Sequence, residues 1–240
     1  MPIPVDLVLP CYNPPAGWAA NLIASVRKVN TYLPQVAFTV RVVNDGSSQP
    51  PTPADIDLLR SQLPDFHYDS YEQNQGKGYA LRHGVQAAQH AICLFTDIDF
   101  PYEEQGVAAV LQTLLSQQCD VAVGSRNEAY YQHVPAARTA ISRSLRFCTQ
   151  HLLRLPVSDT QCGIKGFNQA GKALFLQTQV NRYLFDLEFL YWAARIPNLR
   201  VLPVQVQLKP GIIFSRMNFR LLLTEGYNLL RIIRRATPAA

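Results

Sequence analysis

The chain has 240 residues, 48% of them hydrophobic and 16% charged, with a formal net charge of +5. This composition fits one globular α/β domain and excludes collagen-like, low-complexity and disordered classes. The Lys and Arg residues are spread along the chain rather than interleaved with aromatics in a tract, which argues against nucleic acid and favours a phosphorylated ligand or an anionic membrane surface.

Cys11, Cys93, Cys119, Cys148 and Cys162 form neither a CxxC pair nor a cluster with His, so reduced thiols in the cytoplasm are expected. The start, MPIPVDLVLPCYNPP, lacks the basic and apolar regions of a signal peptide. No stretch approaches the roughly 18 apolar residues of a spanning helix. A protein that is neither secreted nor bilayer-crossing is expected.

In chain order, VDLVLP reads as a strand and Trp18 to Tyr32 as a helix. AFTVRVVND is a strand, Ala54 to Gln62 a helix, and DFHYDSYE a strand. Gly78 to Gln89 is a helix, AICLFTD a strand, Glu103 to Gln117 a helix, and DVAVGSR a strand. This alternation over the first 126 residues predicts a three-layer α/β/α fold with a mainly parallel sheet, whose ligands bind beyond the carboxyl ends of the strands. PCYN, NDGSS, TDID and GSRN end such strands and would share one rim.

The second half predicts a helix from Ala137 to Leu153, a loop PVSDTQCGIKGF, a helix within YLFDLEFLYWAARI, a strand RVLPVQVQL and a last helix from Met217 to Arg235. With no repeat and no linker, it completes the same domain.

In LFTDIDFPYEE, an apolar run ends in Asp97 and Asp99, two residues apart. In an extended segment both would face one pocket. Mg²⁺ or Mn²⁺ is typically held by one or two carboxylates together with phosphate oxygens and water. The alternative has Asp99 exposed and Asp97 capping the next helix. In VVNDGSS, Asp45 stands at a strand end before Gly46, where it either accepts hydrogen bonds from a base or ribose or caps the turn.

LPCYNPP, VVNDGSS, NQGKGYALRHG, FTDIDFP, VGSRN, SDTQCGIKGF and FDLEF occur in the order found in family 2 glycosyltransferases of the GT-A fold. The set most closely resembles the polyprenyl-phosphate branch, which includes dolichyl-phosphate mannose and glucose synthases. The resemblance covers residues 3 to about 216 and implies a nucleotide-diphospho-sugar (GT-A) catalytic domain over residues 1–216. It implies that Pro10, Tyr12, Asn13, Asp45 and Lys77, with Asp97, Asp159 and Gln161, hold a UDP- or GDP-sugar. Asp97 and Asp99 would bind Mg²⁺ or Mn²⁺. Arg126, Arg138, Ser142, Ser215 and Arg216 would hold the acceptor phosphate. The catalytic set that the resemblance implies is Asp97, Asp99, Arg126 and Glu188, with Glu188 equally able to satisfy a buried partner.

Two departures stand out: the family usually has Glu where Pro14 stands, and often Gln where Pro101 stands. The third metal ligand is then missing or supplied by water, Glu103 or Glu104. Residues 217–240 carry Phe219, Leu222, Leu223, Leu230 and Ile233 at helical spacing beside Arg220, Arg231, Arg234 and Arg235, as in a basic amphipathic helix lying on a membrane or packed on its own domain. The resemblance thus implies inverting sugar transfer to a polyprenyl phosphate by a peripheral protein at the inner membrane face, with a membrane-protein partner or a homo-oligomer left open. The alternatives are a soluble hydroxyl acceptor and a nucleotide-sugar-binding protein without turnover.

Overall fold

The structure, a computed structural model, describes residues 1–126, 153, 155–157, 159–210 and 232. The helices expected before Leu153 and after Met217 lie outside the described residues, although Leu153 and Ile232 themselves are buried in the core.

β1 (Ile3–Cys11) is buried from Val5 onward on both faces, as its unbroken apolar run requires of a central parallel strand. α1 (Trp18–Tyr32) follows, burying Leu22, Ile23, Val26 and Val29 at helical spacing. Next come β2 (Val36–Asp45) and α2 (Pro53–Gln62). Thr52 and Asp55 close a capping box at the start of α2, and Pro53 takes the first-turn position where its missing N–H does no harm. β3 (Phe66–Tyr71), α3 (Lys77–Ala87), β4 (Cys93–Phe95), α4 (Glu104–Leu115) and β5 (Val121–Arg126) continue the alternation. β6 (Lys165–Phe167), α5 (Gln169–Phe175), α6 (Phe185–Ala193) and β7 (Val201–Val206) complete the described elements.

The strands form one sheet in the order β3-β2-β1-β4-β6-β5-β7. β6 runs antiparallel to β4 and β5, and the other pairings are parallel. One apolar cluster joins the sheet to α1, α2 and α4. A second joins the opposite face to α3, α5 and α6. Every residue of α6 is buried, consistent with a helix that is apolar on nearly all sides. The carboxyl ends of β1, β2, β4 and β5 therefore lie on one rim, as expected.

Three local expectations are corrected. PVSDTQCGIKGF is not a loop throughout, because its last residues form β6 between β4 and β5. Gly166 permits this insertion: a Cβ there would lie 2.5 Å from Leu114 Cδ1. α5 was not anticipated; its start is capped by Asn168, whose Oδ1 accepts the N–H groups of Ala170 and Gly171. β4 ends at Phe95, so Asp97 and Asp99 lie beyond it in a turn closed by the Phe100 N–H on the Asp97 carbonyl at 3.0 Å. Phe100, with φ at 49°, sits in the left-handed region, which brings the chain round sharply.

Candidate active site

The rim is assembled from turns that follow the parallel strands. After β1, the Asn13 N–H donates to Ser47 Oγ at 2.9 Å, and Asn13 Oδ1 accepts from Ser48 and Gln49. Pro10 is buried and Tyr12 is about half exposed beside them. The turn after β2 is capped by Asn44, whose Oδ1 accepts both the N–H and the hydroxyl of Ser47.

Asp45 does other work than capping that turn. Its buried carboxylate accepts the Tyr71 hydroxyl at 2.8 Å, Asn74 Nδ2 at 2.9 Å, and the N–H groups of Gln75 at 2.7 Å and Gly76 at 2.9 Å. It thereby fixes the segment that leads into α3. Gly46 packs against the same segment so closely that a Cβ would meet Asn74 N at 2.5 Å.

Lys77, the first residue of α3, ion-pairs with Asp97. Burial alone would lower the Lys77 ammonium, but Asp97, Asp186 and Asp99 together raise it. Asp99 is pushed up by burial and by the charge of Asp97, so the two carboxylates feel one another across the turn. Asn21 Nδ2 donates to the Asp99 carbonyl at 2.8 Å and ties the turn to α1. On its other side Asp97 rests against Gly163, where a Cβ would lie 2.4 Å from Asp97 Oδ2. The Gly163 N–H donates to the Tyr102 hydroxyl at 2.6 Å.

Arg126 and Asp159, expected to serve acceptor and donor respectively, grip each other: Nε to Oδ2 is 2.8 Å and Nη2 to Oδ1 is 2.7 Å. Gln161 is half-buried nearby in sequence, and its Nε2 bonds to no described residue. Lys165 is fully buried, 2.6 Å from Asp186 Oδ1, and donates to the Cys162 carbonyl at 2.7 Å. Burial raises Asp186 despite Lys165 and Lys77.

Glu188 is fully buried, and its Oε2 accepts the N–H groups of Gln179 and Val180, both at 2.7 Å. It thereby holds the backbone of the segment that leads into α6. Glu104, considered as a third metal ligand, is instead bound to Lys209 at 2.6 Å, Lys28 at 3.1 Å and Ser25 Oγ at 3.1 Å. Among the described residues no group of three His, Cys, Asp or Glu side chains could hold a metal. Arg138, Ser142, Ser215 and Arg216 lie outside the described residues.

The sequence singles out Lys77 and Asp97 but does not report their pairing. Nor does it report Tyr102 and Gly163 as the walls of Asp97, although Gly163 stands in the quoted DTQCGIKGF. The donor set of Asp97 and Asp99 suits a hard divalent cation: both supply oxygen, both are partly exposed, and a cation, the Lys77 ammonium, already rests on one of them.

A mainly parallel sheet with paired carboxylates on the turn beyond a central strand defines a GT-A-type nucleotide-diphospho-sugar transferase architecture. Solved structures share this fold. Glucosyl-3-phosphoglycerate synthase from Mycobacterium tuberculosis, with Mg²⁺ and UDP, gives a TM-score of 0.62 at 14% identity, covering 96% of this chain and 78% of that one. The mannosyltransferase PcManGT from Pyrobaculum calidifontis, with GDP-Man and Mn²⁺, gives 0.61 at 13% identity, covering 98% and 65%.

The model of glycosyl transferase family 2 matches residues 6–171, and the chain belongs to that family. Similar curated proteins include glycosyltransferase AglD of Haloferax volcanii, 28% identical over 87% of this chain and 33% of AglD. The dolichyl-phosphate beta-glucosyltransferase of Dictyostelium discoideum is 23% identical over 84% of this chain and 65% of that protein. The chain spans between a third and two thirds of these relatives. Among the described residues no helix is long and apolar enough to cross a membrane.

Proposed function

We propose that the protein transfers a sugar, with inversion, from a UDP- or GDP-sugar to a polyprenyl phosphate, as a peripheral protein at the cytoplasmic face of the membrane. The observation that carries this reading is the turn bearing Asp97 and Asp99, set on the rim where β1, β2, β4 and β5 end. Relatives named for dolichyl phosphate support the acceptor class.

Asp97 and Asp99 would hold Mg²⁺ or Mn²⁺. When bound, such a cation supplies positive charge that stabilises the departing nucleoside diphosphate. Asp45 holds the Gln75–Gly76 backbone in place, so that Lys77 enters the rim at a fixed point. The Asn13 and Ser47 turns, bonded to each other, form the wall against which the nucleoside would lie. Gln161 offers a donor for sugar hydroxyls or phosphate oxygens.

Arg126, oriented by Asp159, would face the acceptor phosphate together with Arg138, Ser142, Ser215 and Arg216 through charge-assisted hydrogen bonds. An acceptor oxygen then attacks the anomeric carbon opposite the diphosphate. Because that oxygen is already anionic, no general base is required, which agrees with the buried position of Glu188.

The test is to incubate the full chain with UDP- and GDP-sugars, Mg²⁺ or Mn²⁺, and a short polyprenyl phosphate, and to weigh the product. A glycosyl phospholipid is expected. Transfer only to water-soluble hydroxyl compounds overturns the acceptor assignment, and nucleotide-sugar binding without turnover overturns the enzyme reading.

A further inference from the structure

Asp97 is enclosed on two sides. Its Oδ2 packs against Gly163 with no room for a Cβ, and its Oδ1 is covered by the Lys77 ammonium. The backbone that carries Lys77 is fixed. The Gly76 N–H is held by Asp45, and the Gly78 N–H donates to the Asn181 carbonyl at 2.7 Å. Gly78 is itself wedged, since a Cβ there would lie 2.5 Å from the Val180 carbonyl oxygen. The start of α3 therefore stays in place, and only the flexible stem of Lys77 moves. Its side chain is about one-third exposed, so it has space to turn outward.

The charges around the turn nearly balance. Asp97, Asp99 and Asp186 contribute three formal negative charges, and Lys77 and Lys165 two positive ones, which leaves −1. Lys165 is buried and committed to Asp186, so Lys77 is the cation of the two that can leave. A dication arriving alone would have to break the Lys77–Asp97 ion pair, and while the released ammonium stayed beside the turn without another anion the cluster would be net positive. A dication arriving with a diphosphate meets no such barrier, because the diphosphate is an anion to which the released ammonium can pass.

Resting on the donor and metal reading above, we propose that Lys77 is a resident counter-cation: it occupies the metal-binding carboxylate in the donor-free protein and moves to the diphosphate when metal and nucleotide bind together. Metal binding is thereby made conditional on the nucleotide. Free divalent cation binds weakly, and cation and nucleoside diphosphate strengthen each other. Reciprocity of linked binding requires that the same factor apply to both.

The experiment titrates the full chain with Mn²⁺ and follows free Mn²⁺ by electron paramagnetic resonance, without nucleotide and with UDP or GDP, corrected for Mn²⁺ held by nucleotide in buffer. In the wild type, nucleotide should tighten Mn²⁺ binding. In Lys77→Met, nucleotide-free Mn²⁺ binding should tighten about five- to tenfold, the scale of removing one partly screened charge, and the nucleotide enhancement should shrink. Lys77→Arg, which keeps the charge, should behave like the wild type. Thermal melting of Lys77→Met and of a second neutral variant, Lys77→Gln, verifies that both are folded.

Nucleotide-free Mn²⁺ affinity that is unchanged or weaker in both neutral variants overturns the proposal. Failure of the underlying metal reading looks different: Asp97→Asn would then bind Mn²⁺ in the presence of UDP or GDP as well as the wild type does.

Discussion

Arg126 and Asp159 form a two-pronged ion pair, and the Arg126 N–H adds a third bond to the same carboxylate at 3.0 Å. Burial would lower the guanidinium, but Asp159 outweighs it and holds Arg126 charged. The pair joins the end of β5 to the segment just before β6. Arg126→Lys keeps a charge and loses the planar fork, so the unfolding free energy should fall by about 1–3 kcal/mol. Urea denaturation measures this, and an unchanged midpoint would mean that the fork contributes nothing to stability.

Asp45→Ala should act on both fold and ligand. It removes the acceptor of the Tyr71, Asn74, Gln75 and Gly76 donors, two of them backbone N–H groups, and should lower stability by about 1.5–3 kcal/mol. Calorimetry should also find weaker UDP or GDP binding, because the start of α3 loses its anchor. Full stability in this variant would refute the anchoring role.

Asp99→Asn should remove most transfer activity while the fold persists. Burial and Asp97 raise the Asp99 carboxyl, so its ionised form is disfavoured in the folded, metal-free protein. The sign follows: any stability linked to Asp99 is present at low pH and lost as pH rises through its raised value. A neutral Asn escapes that loss, and the melting temperature at neutral pH without metal should rise slightly. Wild-type turnover in Asp99→Asn at saturating Mn²⁺ would remove Asp99 from the metal site.

Glu104 governs a separate acid response. Burial alone would raise its carboxyl, but bonds from Lys209, its own N–H and Lys28 bring it down to about 2. Its contribution is therefore complete above the ordinary value of 4.5 and is lost as pH falls toward 2. Lys28 is largely exposed and adds little, whereas Lys209 is mostly buried and also lies over the Phe100 ring at 5.2 Å. Lys209→Met should lower stability at neutral pH by on the order of 2 kcal/mol and flatten the loss between pH 4.5 and 2. Parallel acid-stability curves for variant and wild type would contradict this.

The elements legible in the sequence were those with a clear period or an unbroken apolar run, such as α1 and β1. Hydrophobic pattern reports what a segment buries, so the shared rim followed from the alternation itself. β6 was not legible, because KGF is too short for a period and its two neighbours come from distant parts of the chain. The Asp-x-Asp spacing suggests strand geometry, whereas the two residues lie on a turn closed by the Phe100 N–H on the Asp97 carbonyl. The pairings of Lys77 with Asp97 and of Arg126 with Asp159 depend on packing across the fold. No local spacing reports them.

The late insertion of β6 also bears on how the chain is made. As synthesis proceeds, β1 to β4 can pair as soon as they emerge, but β4 then presents an open, apolar edge. β5 has no described neighbour until β6 and β7 follow, since those two strands flank it in the finished sheet. A nascent chain paused after residue 126 thus holds an unprotected edge beside an orphan strand, a combination that invites pairing with other chains. Completion waits on three residues, Lys165–Phe167, sliding between strands made long before them. Folding speed and the need for chaperone protection should therefore respond to changes at Gly166, the residue whose missing side chain lets that strand enter.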